Sequence, residues 1–374
     1  MNQLKARLDA LRGSGEHKRL DARGIAALTA IPGCRRRSVL DGAGISKSEL
    51  GTAIGFPMPS EQSQFALSRG MAFEAQVKAN GCAELLTLLR DVLGLQIAEV
   101  PYQDLETVGE NESLSVRARE TAKHLIAVAS ETEQRTLFDH PLLRLEVAGS
   151  PVFPEPDVLA YRVDGKFYVV EIKSFAVIDG QAPAAALAAA ETQAAVYVHA
   201  LRETLRSRGA DEQMVSPRVV LVCPENFSNR PTAVLIDVTN HVAAVRRMLA
   251  RMDRLESILD SLPPAVTLDP WRDAARLDPR PASELTRVLR MIDARYGPEC
   301  LDSCELAKFC RREERGSTVV LGRHVRDDLG GLCSVEEVVG LAGGTRAASP
   351  DQLEQAVLLR QAQAYRDASL GGAA

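Results

Sequence analysis

Two carboxylates and one amine stand close together in this 374-residue sequence, at Asp157, Glu171 and Lys173. Between them lie two β-rich runs, residues 158–161 and 166–172, separated by an Asp-Gly pair that is typical of a tight hairpin turn. Glu171 and Lys173 are two positions apart, so they project from the same face of the second strand. The pattern predicts an antiparallel hairpin that brings all three side chains to one point.

Few kinds of reaction use two carboxylates and one amine that meet at one point. Carboxylate oxygens suit Mg²⁺ or Mn²⁺, which keep several waters and take further ligands from a substrate phosphate. A metal held there polarises a phosphodiester and lowers the pKa of a bound water, while a lysine orients that water or offsets developing negative charge. The pattern therefore indicates phosphodiester hydrolysis. The alternative is a solvated hairpin that shows the same residue types by chance, which is common for so short a motif.

Two further motifs flank the hairpin. Gln193 and Tyr197 are four residues apart in an Ala-rich segment, so they share one face of a helix. Upstream, Gly70 and Glu74 have the same separation within residues 68–74. A strand pair followed by a helix with Gln-x-x-x-Tyr, and preceded by Gly-x-x-x-Glu, resembles the RecB-like branch of the PD-(D/E)xK nucleases.

This resemblance implies a restriction-endonuclease-like α/β fold, in which a mixed β-sheet core is flanked by helices. It also implies roles for individual residues. The implied ligands for Mg²⁺ or Mn²⁺ are Glu74, Asp157, Glu171 and the backbone carbonyl of Ile172. Lys173 would position the attacking water, and Gln193 and Tyr197 would contact the substrate backbone or hold Lys173.

Four of the seven cysteines form a second pattern. Cys34 precedes the hairpin, and Cys300-x3-Cys304-x5-Cys310 stands far downstream. This bracketing resembles the iron–sulfur cysteine set of AddB and the CRISPR-adaptation nucleases, with one residue inserted into their usual late spacing. It implies a [4Fe–4S] cluster that joins the N- and C-terminal helical segments. Four thiolates also satisfy a structural Zn²⁺, so zinc is the alternative.

The formal net charge of −5 is unfavourable for a protein that binds DNA, so the distribution of basic residues matters more than their total. Arginines come directly after the first and the last cysteine of the set, at Arg35, Arg36, Arg37, Arg311 and Arg312. If one cluster joins both segments, these guanidinium groups converge beside it, and guanidinium suits phosphate oxygens. We expect a DNA-guiding surface there. Two separate solvated charge runs are the alternative.

The resemblance, together with Gly- and Pro-rich breaks in the sequence, implies four segments. They are an N-terminal helical segment with the first cysteine (1–60), a nuclease core (61–240), a helical segment with three cysteines (241–315) and a C-terminal helical tail (316–374). Within the core, residues 142–147 are predicted to be the strand before the hairpin, and residues 218–222 and 233–238 to be later strands. The N-terminus lacks a signal-peptide core, the cysteine count is odd, and no apolar run could span a bilayer, so we expect a cytoplasmic protein without a membrane partner.

With the resemblance, these features imply a DNA nuclease that acts on single-stranded DNA or free ends, in repair or anti-phage defence. The sequence contains no P-loop, so any helicase or defence-system motor would be a separate partner. A competing hypothesis is a non-catalytic DNA-binding subunit that keeps the cysteine site while a partner cuts. A third is a dimeric, sequence-specific endonuclease, which the Gln-x-x-x-Tyr helix and the cysteine bracket disfavour.

Overall fold

The computed structural model of the chain describes residues 2–58, 64–94, 100–109, 113–130, 136–163, 165–226 and 228–371. The chain divides into two compact units with interleaved boundaries. Unit 1 consists of Met1–Gly33, Arg37–Ile45 and Pro59–Thr267, and unit 2 of Cys34–Arg36, Ser46–Met58 and Leu268–Ala374. The piece that carries the first cysteine therefore groups with the C-terminal part of the chain.

The α-helices, in chain order, are α1 (Asn2–Arg12), α2 (Ala22–Ala30), α3 (Arg35–Gly42), α4 (Lys47–Ala53), α5 (Gln64–Val77), α6 (Ala79–Leu93), α7 (Leu114–Ser130), α8 (Ala184–Arg206), α9 (Thr239–Ala250), α10 (Leu255–Asp260), α11 (Ala282–Arg290), α12 (Ala307–Glu313), α13 (Arg323–Asp328), α14 (Val335–Ala342) and α15 (Leu353–Gly371). The strands are β1 (Tyr102–Asp104), β2 (Thr136–Asp139), β3 (Leu145–Val147), β4 (Ser150–Val152), β5 (Val158–Val163), β6 (Lys166–Ile172), β7 (Arg218–Pro224) and β8 (Pro231–Asp237).

Six strands of unit 1 form one sheet in the order β1-β2-β5-β6-β7-β8. The β1–β2 and β6–β7 pairs are parallel, and the other three pairs are antiparallel. Strands β3 and β4 form a separate antiparallel pair. The predicted mixed sheet flanked by helices is therefore confirmed at the level of an α/β architecture.

The hairpin predicted from the Asp-Gly pair is also confirmed. Strands β5 and β6 pair antiparallel, with Val158 opposite Val170 and Val163 opposite Lys166. Asp164 lies outside the described residues, and Gly165 has a φ of +73°, a conformation that glycine adopts without steric cost. The short turn fixes the register of the two strands, and that register sets which side chains share a face.

Each face of the sheet is covered by helices. Phe73 of α5 and Leu85 of α6 pack against one face of the sheet. That face includes Tyr168, Val170 and further even-numbered strand residues. The opposite face packs against Ala190 of α8 through odd-numbered residues such as Leu221. Because side chains alternate along a strand, the odd-numbered positions of β6 face α8.

The strand before the hairpin differs from its predicted position. The main sheet contains β2, whereas only the end of the predicted segment 142–147 is strand, and that part (β3) pairs with β4 outside the main sheet. Both short runs are largely buried, including Leu142 and Leu143 beside β3. Two short apolar runs close in sequence both predict burial, and periodicity alone does not distinguish which one enters the sheet.

Unit 2 is helical in its described residues, with α4 and α11 to α15 joined by turns. In the C-terminal tail, α13 and α14 are separated by a turn that contains Gly330 and Gly331 at φ +69° and +74°. In the part of the chain that the structure describes, no helix has the length and apolar character needed to cross a membrane.

Candidate active site

Asp157 and Glu171 meet where β5 begins and β6 ends. Because Val158 pairs with Val170, the antiparallel register places Asp157 opposite Glu171. Oδ2 of Asp157 accepts a hydrogen bond of 2.7 Å from the backbone N–H of Ile172. In an extended strand the N–H and C=O of one residue point to the same side, so the Ile172 carbonyl also points towards Asp157.

Glu171 is completely buried, with 0% of its surface exposed. Its Oε1 forms an ion pair with Nζ of Lys173. Its Oε2 has no hydrogen-bond partner among the described residues. A buried carboxylate oxygen without a partner costs free energy, so Oε2 is an open ligand position for a cation.

Helix α8 orients the lysine. Nζ of Lys173 donates a hydrogen bond to Oε1 of Gln193 at 3.1 Å. Nε2 of Gln193 in turn donates to the hydroxyl of Tyr197, also at 3.1 Å. Tyr197 is buried, so this chain of hydrogen bonds is anchored in the core. The i, i+4 spacing therefore places both polar groups on the face of α8 that covers the sheet.

The electrostatics of the pair disfavour two negative charges without a cation. Burial, reinforced by Asp157, raises the pKa of Glu171 to about 8. Burial raises the pKa of Asp157 to about 6, against the opposing effect of Lys173. Burial alone would lower the pKa of Lys173, but Glu171 and Asp157 outweigh it and the net shift is upwards. One lysine thus offsets part of the charge of the buried Glu171 and the half-buried Asp157, and a divalent cation would offset the rest.

Glu74, on α5, is coupled to this site, since its charge contributes to the raised pKa values of both carboxylates. Its own Oε1 pairs with Nζ of Lys78 at 2.6 Å. Lys78 also pairs with Asp139, at the end of β2, at 2.8 Å, and Asp139 accepts a hydrogen bond of 2.7 Å from Tyr102. The sequence reasoning missed Lys78, Asp139 and Tyr102. The i, i+4 spacing of Glu74 and Lys78 was the signal that could have found the first of them.

Another group of possible metal ligands lies on the surface. Asp104, Glu106 and His140 offer ligand atoms within 4.8 Å of one another, and it is the one group with this spacing in the described part of the chain. Nδ1 of His140 lies 3.2 Å from Oδ1 of Asp104. Asp104 and Glu106 are exposed, and exposed acidic groups often occur without a metal, so this group has less support than the buried pair.

All four cysteines of the predicted set belong to unit 2. Cys34, Cys300 and Cys310 are buried and Cys304 is half-buried. Cys300 and Cys304 are separated by one turn of the backbone, since the N–H of Cys304 donates a hydrogen bond to the carbonyl of Cys300 at 2.8 Å. Burial raises the pKa of Cys310 to about 12; the Arg36 cation opposes this shift, and the Cys304 and Cys34 thiols add to it. The four thiols therefore form a candidate ligand set within one unit.

The prediction that all five arginines beside these cysteines form a DNA-guiding surface is corrected for Arg36 and Arg37, because both are buried. Arg36 is 4% exposed, and it donates to Sγ of Cys310 at 3.2 Å and to Glu313 at 2.6 Å. Arg37 is also buried and pairs with Asp41. The arginines of the predicted group that remain exposed are Arg35, Arg311 and Arg312. A count of charges in the sequence does not reveal that a guanidinium is used inside the fold.

Comparison with known proteins adds little to this geometry. No protein-family model matches the chain, and no curated protein matches it. Among solved structures, the chain is similar to the crystal structure of SSO0001, with 14% sequence identity and a TM-score of 0.17, over 45% of this chain and 86% of that chain. A TM-score this low carries no argument about fold or function. The fold and the site define a mixed α/β protein with a buried and a half-buried carboxylate beside a lysine, an arrangement of charges that suits a divalent cation.

Proposed function

We propose that this chain is a metal-dependent deoxyribonuclease with a restriction-endonuclease-like core of the RecB-like type. The observation that carries the proposal is the buried Oε2 of Glu171, which has no hydrogen-bond partner among the described residues and lies beside Asp157 and the Lys173 ammonium. Two acidic side chains at the end of a hairpin, with a backbone carbonyl pointing to the same side, are the oxygen ligands that Mg²⁺ and Mn²⁺ prefer.

Each residue has a role in this chemistry. Asp157 and Glu171 hold the cation, with the Ile172 carbonyl and Glu74 as further ligands. A divalent cation bound there supplies Lewis acidity at the phosphate and a water of lowered pKa. Lys173 places a positive charge where negative charge develops during phosphodiester cleavage, and its hydrogen bond to Gln193 limits the directions in which the ammonium points.

The cysteines of unit 2 form the second part of the proposal, a structural [4Fe–4S] cluster. A four-iron cluster binds each of four thiolates to a different iron, and unit 2 contains the four cysteines of the set. Zinc bound by the same four thiolates is the alternative. The Arg36 cation against Cys310 would stabilise a thiolate ligand.

The non-catalytic subunit remains the competing function. The raised pKa values of Asp157 and Glu171 disfavour it, because ionising both groups in the folded protein would cost free energy unless a cation were bound. A subunit that only binds DNA has no physical need for such a pair. The substrate class in the proposal is DNA, single-stranded or with free ends. A separate helicase or defence-system protein would be the partner.

The test is cleavage of end-labelled single-stranded and double-stranded DNA with Mn²⁺ or with a chelator. Wild-type protein should cut only with the metal, and Lys173→Ala should bind the DNA but cut it at least about 100-fold more slowly. Lys166→Ala is the matched control, because Lys166 is exposed at the other end of the same strand. Equal cutting by both variants would rule out the proposed site, and binding without any cutting by wild-type protein would favour the non-catalytic subunit.

The cluster is tested separately by metal analysis of protein purified without oxygen. The proposal predicts about four irons per chain and a visible absorption band in the wild-type protein, both lost in Cys310→Ser. Cys223→Ser is the control, because that thiol lies in the sheet of unit 1. Zinc in place of iron would contradict the cluster and leave the nuclease proposal intact.

A further inference from the structure

Unit 1 contains a cavity of about 390 Å³ that the proposed nuclease does not use. It lies between α7, α8, α9 and the segment of β3, and His199 of α8 is part of its wall. His199 comes two residues after Tyr197, and each residue of an α-helix advances about 100° around the axis. The cavity therefore lies on the side of α8 that is turned away from the carboxylate site.

Three exposed arginines, Arg144, Arg208 and Arg246, line this cavity. None of the three forms a side-chain hydrogen bond or ion pair with another described residue. A fourth lining arginine, Arg119, is paired with Glu120 at 3.2 Å. Three guanidinium groups that line one cavity attract an anion, and solvent screens this attraction because the side chains are exposed.

The lining carboxylates leave an excess of positive charge. Glu203 is already paired with Arg206 outside the cavity, and Glu146 is the lining carboxylate that has no ion pair among the described residues. One free carboxylate against three free arginines leaves about two positive charges, which matches a phosphate dianion. The N-terminal turn of α7, at Ser115, also borders the cavity and adds the favourable end of a helix dipole.

The remainder of the wall is apolar. Leu145 and Leu249 line the cavity beside small side chains such as Ala118 and Ala122. His199 is 8% exposed and its ring has no hydrogen-bond partner among the described residues. Burial, reinforced by nearby arginines, lowers the pKa of His199, so its ring is neutral and offers one N–H donor near neutral pH. The cavity thus combines a cationic rim, an apolar wall and one buried polar group.

We propose that this cavity binds a small ligand that carries a phosphate group and an apolar or planar part, of the size of a nucleoside monophosphate. The volume is near the lower end of the range of about 300–1,000 Å³ for small-molecule sites, which favours one nucleotide over a dinucleotide. Arg144, Arg208 and Arg246 bind the phosphate, and the wall formed by Leu145 and Leu249 contacts the apolar part. The site is independent of the proposed nuclease activity.

Titration calorimetry of the full chain with adenosine monophosphate, in a chelator that keeps divalent cations from the carboxylate site, tests this assignment. Wild-type protein should bind the nucleotide, and adenosine without phosphate should bind at least about tenfold more weakly. Arg246→Gln should weaken nucleotide binding by about 10- to 100-fold, because it removes one charge-assisted contact. Arg247→Gln should bind as wild type does, because Arg247 is its neighbour on α9 and does not line the cavity.

Three results would overturn the proposal. They are no binding of the nucleotide by wild-type protein, equal weakening in both arginine variants, and equal affinity for adenosine and its monophosphate. A short single-stranded oligonucleotide tested in parallel distinguishes a nucleic-acid contact. If Arg246→Gln weakens the oligonucleotide as strongly as the nucleotide, the rim binds a DNA backbone and the small-ligand assignment is wrong.

Discussion

Replacing Glu171 by Gln should stabilise the metal-free protein at pH 8 while abolishing cleavage. The pKa of Glu171 rises from its usual 4.5 to about 8 because the side chain is buried beside Asp157. Between those two pKa values the folded state binds more protons than the unfolded state, so stability falls as pH rises through this window. The carboxylate therefore destabilises the fold at pH 8 and not at pH 5, where it is protonated in the folded protein.

The magnitude comes from the size of the shift. Each pKa unit corresponds to about 1.4 kcal/mol, so ionising Glu171 inside the fold costs about 4 kcal/mol at pH 8, as an upper limit for a buried pair. The raised pKa is already net of the attraction of Lys173, so that ion pair is not subtracted a second time. The gain is therefore at most about 4 kcal/mol, or about 8–16 °C in melting temperature for a unit of this size.

The assay is thermal unfolding of wild-type protein and Glu171→Gln in a chelator, at pH 5 and at pH 8. The variant should melt at a higher temperature at pH 8, and the two proteins should melt together at pH 5. Saturating Mn²⁺ should reverse the order at pH 8, because only the wild type retains the full ligand set. A variant that is less stable at pH 8, or a gain that does not depend on pH, would contradict the raised pKa of Glu171.

The same contacts predict three further outcomes. Mn²⁺ affinity should rise between about pH 6 and pH 8, because the two carboxylates lose their protons in this range. Calorimetry in buffers of different ionisation enthalpy should show that Mn²⁺ binding releases protons. An affinity that does not change with pH would contradict the raised pKa values. Tyr197→Phe removes the hydrogen bond that holds Gln193, so single-turnover cleavage should slow about threefold to tenfold with little change in melting temperature. Arg36→Gln should lower the free energy of unfolding by about 3–5 kcal/mol, because it breaks a buried ion pair and leaves the partners of Arg36 unsatisfied. Arg35→Gln, at an exposed ion pair, should change the free energy of unfolding in denaturant by less than about 1 kcal/mol. Equal effects of the two variants would show that burial does not decide the difference.

The hairpin and α8 could be predicted because their signals are local. The Asp-Gly turn and the two-residue period determine which face Glu171 and Lys173 share, and the i, i+4 spacing determines how Gln193 and Tyr197 meet. Each of these depends on residues close in sequence. The structure adds the packing of α8 on that face of the sheet, which brings the two pairs together.

The surroundings of Glu74 could not be predicted in the same way. The ion pairs of Lys78 join α5 to the end of β2, and Tyr102 reaches Asp139 from a parallel strand 37 positions earlier in the chain. Such contacts depend on which short apolar run enters the sheet, and the sequence favoured the wrong one. The contacts of Lys78, Asp139 and Tyr102 depend on β2, and not residues 142–147, lying beside β5.

The arginines show a different limit. Arg35 and Arg36 are neighbours of the same type, yet one is half-exposed and the other is buried against Cys310 and Glu313. Charge type is a property of the residue, whereas burial is a property of the packed unit. The run of arginines therefore predicted an exposed surface, whereas Arg36 of this run forms buried contacts inside unit 2.

The most direct test of the central claim is Mn²⁺ binding measured by electron paramagnetic resonance of the free ion. We predict that wild-type protein and Lys173→Ala bind Mn²⁺ near neutral pH, and that Glu171→Gln and Asp157→Asn lose this binding. Glu106→Gln, at the surface group of possible ligands, should bind Mn²⁺ as the wild type does. Unchanged binding in Glu171→Gln together with loss in Glu106→Gln would contradict this prediction, because the metal would then bind at the surface group and not at Asp157 and Glu171.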